Sequence, residues 1–272
     1  MTAPPKVTVI YISSFLGPMP RSLDTLILSP PRSDYTIIWS NGICTTYNDY
    51  LLLLEPLAEK AKVVAYNYRD QKKRRFNPYK AVEDLDDLIK QQDSPVFLAG
   101  HCTGAAISIS ARSDVQGRIL ICPYLGKDHL SSIPRWMMQI GKHLPLCYMD
   151  RLIQYLGLTD YIGVKNEKPL QDVWAMRNFQ PKFSQSQAMW MVSSHDEILG
   201  TLFSIKHYAR MKSYLKAQYP SGQDKSRLIK GLTHSLNTIP GQLIPALASC
   251  PDRRRKRIVD ALLTFCKKST PT

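Results

Sequence analysis

A short apolar run, Val96-Phe97-Leu98-Ala99, passes without a spacer into Gly100-His101-Cys102-Thr103-Gly104. A second run of small and apolar residues, Ala105 to Ser110, follows at once. The first run suits a strand buried on both faces, the pentapeptide a tight turn, and the second run a buried helix. The glycines two before and two after Cys102 leave room for strand and helix to approach closely. A strained backbone at the central residue would lift its side chain clear of the turn. The helix would begin just behind Cys102, so its N–H groups and positive dipole end would favour a thiolate. Taken alone, the pentapeptide fits equally a buried cysteine in a tight turn of some other doubly wound fold.

The rest of the chain repeats the strand-then-helix theme. Lys6 to Phe15 and Asp24 to Ser29 read as two edge strands around a Gly-Pro/Pro turn, the second ended by Pro30 and Pro31. Tyr35 to Ser40 reads as a buried strand running into Asn41-Gly42-Ile43. Tyr47 to Ala61 has helical spacing of Leu51, Leu54, Leu57, Ala58 and Ala61. Val63 to Tyr66 is a strand, Tyr79 to Gln92 an amphipathic helix, and Arg118 to Cys122 a further buried strand. From Pro123 to Gln187 the pattern breaks into dense Pro, Trp, Met and Tyr with short helical patches, which reads as an inserted helical lid. Ala188 to Val192 returns as a strand, Ile198 to Gln218 as a helix, Arg227 to Ile229 as a short last strand and Arg257 to Lys267 as a closing helix. Alternation of this kind implies a mostly parallel sheet with helices on both faces. The expected division is a core of residues 1–122 and 188–272, with 123–187 as the lid.

In such sheets sites form where strands end at their carboxyl side. Three chemically apt residues stand at those ends, in the order Cys102, Asp196, His234. Gly100 to Gly104 resembles the nucleophile elbow of the α/β-hydrolases, with cysteine where serine is usual. His195-Asp196-Glu197-Ile198 resembles their acid loop, Gly231-Leu232-Thr233-His234-Ser235 their histidine loop, and Ser40-Asn41-Gly42-Ile43 the turn after their third strand. The resemblance spans nearly the whole chain. It implies an α/β-hydrolase fold and a Cys102–His234–Asp196 triad, with backbone N–H groups of Thr103 and Ile43 as oxyanion donors. His234 would take the thiol proton and return it to a leaving group, while Asp196 orients the imidazole. The order also resembles that of the cysteine-dependent polyhydroxyalkanoate synthases and dienelactone hydrolases, though this chain is shorter than those synthases. His195 is the rival histidine and suits a strand cap. His101 suits packing or the pocket wall, and Cys44 the pocket lining.

Cysteine in place of serine points to thioesters, because thiolate attack on a thioester is a nearly balanced exchange. The expected activity is acyl transfer or thioester hydrolysis with acyl-CoA or an acyl carrier protein as donor and a small-molecule acceptor. Two alternatives stand beside it: a cysteine-dependent ester or lactone hydrolase, and a catalytically silent hydrolase-fold binding protein. The net charge, 36 − 22 = +14 over 272 residues, favours polyanionic partners. Lys72-Lys73-Arg74-Arg75 follows a strand end on the expected site rim and would suit coenzyme A phosphates or an acidic carrier, although a solvated charge run explains it too. No zinc-finger or RNA-recognition signature is present, so nucleic acid is not expected. Six scattered cysteines without a C-x-x-C pair fit reduced, cytoplasmic chemistry without a metal or cofactor. No apolar run is long enough to cross a bilayer.

Overall fold

The structure, a computed structural model, describes residues 8–12, 23–43, 45–69, 76–126, 129–130, 175–184, 186–196, 198, 205–218, 225–237 and 247–269. Among these residues eight strands form one sheet: β1 (Thr8–Ile12), β2 (Thr25–Ser29), β3 (Thr36–Ser40), β4 (Lys62–Tyr66), β5 (Val96–His101), β6 (Gly117–Ile121), β7 (Ala188–His195) and β8 (Lys225–Thr233). Their spatial order is β1-β2-β4-β3-β5-β6-β7-β8. β1 and β2 pair antiparallel, as do β2 and β4, and every later pairing is parallel. The strands expected to be buried, β3, β5 and β6, are buried along their whole length, as strands covered on both faces must be.

The helices are α1 (Leu51–Ala58), α2 (Pro78–Lys90), α3 (Thr103–Ser110), α4 (Ile205–Gln218) and α5 (Asp252–Ser269). Asn77 caps α2, its side chain accepting from the N–H groups of Tyr79 and Lys80, and Pro78 occupies the first turn, where a missing N–H costs nothing. The two faces of the sheet can be told apart at β5. Phe97 meets Phe265 of α5 with ring centroids 6.2 Å apart. Gly100, three residues on and therefore on the opposite face, abuts Gly104 of α3. α5 and α3 thus cover opposite faces.

Three expectations need correction. β2 is not an edge strand, because β4 pairs along its second side. The segment expected as one helix from Tyr47 opens as a single 3-10 turn over Tyr47–Tyr50 before α1 begins. The closing helix expected from Arg257 starts earlier, at Asp252, so the basic run Arg253 to Arg257 lies inside α5. β7 and β8 also run longer than their apolar cores, to His195 and Thr233. The expected lid falls mostly outside the described residues, which omit 127–128, 131–174 and 185.

A buried charge anchors the helix that carries the nucleophile candidate. Arg118 on β6 is 1% exposed. Its Nε donates to the Ser108 carbonyl at 2.8 Å and its Nη2 to the Ala111 carbonyl at 3.0 Å. A cation there satisfies carbonyls that the last turn of α3 leaves open and faces the negative end of the helix dipole.

Candidate active site

Cys102 sits between β5 and α3 with φ 53° and ψ −115°, a left-handed conformation rare outside glycine. The bend is held by contact. A Cβ on Gly104 would lie 2.0 Å from the Ser40 carbonyl oxygen, and one on Gly100 would lie 2.5 Å from the Gly104 carbonyl. Only hydrogen fits at either place, so strand, helix and the end of β3 come together around the turn. The ladder carries on past the strand: Cys102 N–H donates to the Ile121 carbonyl, and Tyr124 N–H donates to the Cys102 carbonyl. Cys102 itself is partly exposed.

The structure brings His234 and Asp196 to the same place. His234 follows β8, is 4% exposed and donates from Nδ1 to both carboxylate oxygens of Asp196, at 2.9 and 3.0 Å. Asp196 is wholly buried at the end of β7, where it also accepts the Ile198 N–H at 3.0 Å. The imidazole and the Cys102 side chain interact directly, each shifting the other's protonation. Burial alone would raise the Cys102 thiol. The charge of His234, with the Thr103 hydroxyl and backbone N–H, outweighs it and holds the thiol below its ordinary value. Burial would likewise strip the proton from His234, but the Asp196 carboxylate and the Cys102 thiolate hold its pKa well above the usual histidine range. Both shifts favour a thiolate–imidazolium pair.

The turn after β3 is fixed as firmly. The Gly42 carbonyl accepts from Thr45 Oγ1 at 2.7 Å and from the Thr45 N–H at 3.4 Å. The Gly42–Ile43 peptide is thereby set, and its N–H, on Ile43, points opposite to that carbonyl. Asn41 below it donates to the Tyr66 carbonyl and to Asn67 Oδ1.

Sequence reasoning missed Cys122 and Ser193. Cys122 follows β6 with φ 44°, is fully buried, and donates to Ser193 Oγ at 3.3 Å. Burial first, and the Asp196 carboxylate second, keep it a thiol with a strongly raised pKa. Its sulfur, the Asp196 carboxylate and the His234 ring lie within 4.8 Å of one another. A metal ion there would need the Cys122 proton removed and the His234–Asp196 bond broken, so the cluster reads as hydrogen-bonding support for the acid. The one signal in the sequence was position: Cys122 closes an apolar run, as Cys102 nearly does. His101 is fully enclosed, its Nδ1 2.8 Å from Tyr50 Oη and its Nε2 2.8 Å from the His234 carbonyl. His195 stays at the exposed end of β7, its ring on Ser194 Oγ. The His129 ring lies tilted against Tyr214, with centroids 4.3 Å apart. Lys72, Lys73, Arg74, Arg75 and Cys44 lie outside the described residues.

The parallel sheet, the bend and the acid–histidine pair define one class, and the sequence comparison agrees with them. The chain belongs to the alpha/beta hydrolase family, which it matches over residues 38–245. A comparison with curated proteins gives no match. Among solved structures it is similar to a soluble variant of monoglyceride lipase from Saccharomyces cerevisiae, at TM-score 0.62 and 12% identity, over 100% of this chain and 97% of that one. An esterase/lipase from an uncultured bacterium gives TM-score 0.61 and 12% identity over 97% and 85% of the two chains. A carboxylesterase structure from the thaumarchaeon Nitrososphaera gargenis gives 0.60 and 14% over 95% and 100%. At such identities the likeness is one of fold.

Proposed function

We propose that the protein is an acyl-transfer enzyme working through an acyl-Cys102 intermediate, with thioesters as its preferred acyl donors. The observation that carries this is the buried His234–Asp196 hydrogen bond beside Cys102, whose thiol is held below its ordinary pKa. The Cys102 thiolate attacks the acyl carbon, and the carbonyl π electrons move onto oxygen. The N–H groups of Thr103 and Ile43 receive that oxyanion; one such donor is typically worth ~3 kcal/mol. When the intermediate collapses, the carbon–sulfur bond to the donor breaks and the imidazolium of His234 protonates the leaving thiolate. Neutral His234 then takes a proton from the acceptor, whose attack on the acyl-Cys102 carbonyl releases Cys102 as the thiolate. Thioesters suit this nucleophile because one thioester replaces another, whereas an oxygen ester must climb to the acyl-enzyme.

Acyl-CoA or an acyl carrier protein is the proposed donor, its acidic groups met by the cations of residues 72–75. A second reading, a cysteine-dependent esterase or lactonase, draws support from the esterases and lipases that share the fold. Incubation with a short acyl thioester and with a p-nitrophenyl ester, followed by intact mass measurement, decides between them. The expected result is an acyl mass on the wild type, absent in Cys102→Ala and formed faster from the thioester. Faster formation from the oxygen ester favours the second reading, and no adduct from either donor overturns both.

A further inference from the structure

The histidine before the nucleophile is in the wrong place to touch a substrate, yet both of its nitrogens are committed. His101 is 4% exposed. Its Nε2 lies 2.8 Å from the backbone carbonyl of His234, which can only accept, so Nε2 carries the hydrogen. A neutral ring leaves Nδ1 as an acceptor, and Tyr50 Oη, 2.8 Å away, must donate to it. Tyr50 is wholly buried and in turn accepts the Gly42 N–H at 3.2 Å, while Thr45 Oγ1, whose hydrogen goes to the Gly42 carbonyl, lies 3.3 Å away. The direction of every bond is therefore fixed: Gly42 N–H to Tyr50, Tyr50 O–H to His101, His101 N–H to the His234 carbonyl. Burial first, and the neighbouring His234 charge second, push the His101 pKa down to about 3, so the ring stays neutral and the direction holds. Gly42 leaves room for the relay, since a Cβ there would lie 2.8 Å from Tyr50 Oη and 3.1 Å from His101 Nδ1.

We infer that Tyr50 and His101 are positioning residues that lock the turn after β3 to the loop bearing His234. The distance between the Ile43 N–H and the imidazole is then set independently of substrate. The inference rests on the acyl-transfer reading for its meaning in catalysis, but its geometry concerns only how His234 is held against Cys102. Neither residue touches a reacting atom. The backbone carbonyl that His101 grips belongs to His234 itself, so slack in the relay becomes slack at the base.

The test is the pH dependence of Cys102 alkylation by iodoacetamide, run beside acylation by a short thioester, in Tyr50→Phe, His101→Leu and His101→Gln. The groups facing Cys102 and His234 are Asp196 at the end of β7, Cys122 after β6, His101 on β5, Tyr50 before α1 and Tyr68 after β4. Only Tyr50 and His101 change in these variants. Tyr50→Phe keeps the ring and removes the one donor to Nδ1. The expected result is an alkylation midpoint moved up by about one pH unit in Tyr50→Phe and His101→Leu. Acylation falls ~10- to 100-fold in kcat with little change in KM, the cost typical of a misplaced reacting group. His101→Gln, which offers one donor and one acceptor, recovers part of both. Folded variants that keep the wild-type midpoint and wild-type alkylation rates overturn the inference. A wild type that takes no acyl group but shows the shifted midpoints in the variants defeats the acyl-transfer reading and leaves the positioning role standing.

Discussion

The roles of single residues separate cleanly when each is removed without altering shape. Asp196→Asn keeps the packing but cannot stabilise an imidazolium. Acylation of Cys102 should fall ~10³- to 10⁴-fold with the melting temperature little changed, measured by stopped-flow acylation and a thermal scan. His101 has a different signature, visible in stability. Its folded pKa, about 3, lies below the unfolded value near 6.5. As pH falls below 6.5 the unfolded chain takes up a proton that the folded chain refuses, so stability is lost from pH 6.5 down to about 3. The slope is at most ~1.4 kcal/mol per pH unit. His234 adds no slope in that window, because its folded pKa is raised and both states carry the proton below 6.5. Urea midpoints of the wild type and His101→Gln between pH 7 and 4 should therefore converge as pH falls. Parallel curves would mean that His101 is charged or solvated in the folded state.

At the scale of elements, the glycine-flanked turn and the run of α3 were legible because their sequence signals are steric: small residues at fixed offsets from an apolar strand. Cys102, Asp196 and His234 were legible in order because each follows a strand, and strand ends of one parallel sheet share a rim. The lengths of β7 and β8 were not legible. Ser193, Ser194, His195 and Lys230 are polar and end an apolar pattern, while the backbone ladder with its neighbour continues past them. The helical start of α5 was hidden for a like reason: five consecutive cations have no apolar period, and the burial of Ile258, Val259 and Leu262 further on holds the helix. Tyr50 was invisible as a partner of His101, since the relay depends on elements 51 residues apart. Two substitutions probe how these elements are held. Gly104→Ala places a methyl group on the Ser40 carbonyl and should cost ~3 kcal/mol or more, read by urea denaturation. Arg118→Met removes the donors to the Ser108 and Ala111 carbonyls and should cost ~2 kcal/mol or more by the same measurement.

Across the whole molecule, the candidate residues come from the part of the sheet that runs from β3 through β5, β6 and β7 to β8, while β1 and β2 stand beyond β4 at the far end. Among the described residues β8 is the last strand of the sheet, and Arg227, Leu228 and Lys230 on it are exposed. Cations along an outer strand discourage a second sheet from pairing there. Replacing Arg227 and Lys230 together with valine should promote self-association, seen as concentration-dependent light scattering; an unchanged monodisperse profile would show that the charges do not guard this edge. The bend at Cys102 has a wider consequence. Its strain is imposed by hydrogens at positions 100 and 104, so the fold is indifferent to which small atom stands at the tip. A Cys102→Ser exchange should melt at the wild-type temperature yet prefer oxygen esters, which would make one chalcogen the dial between two chemistries on an unaltered frame.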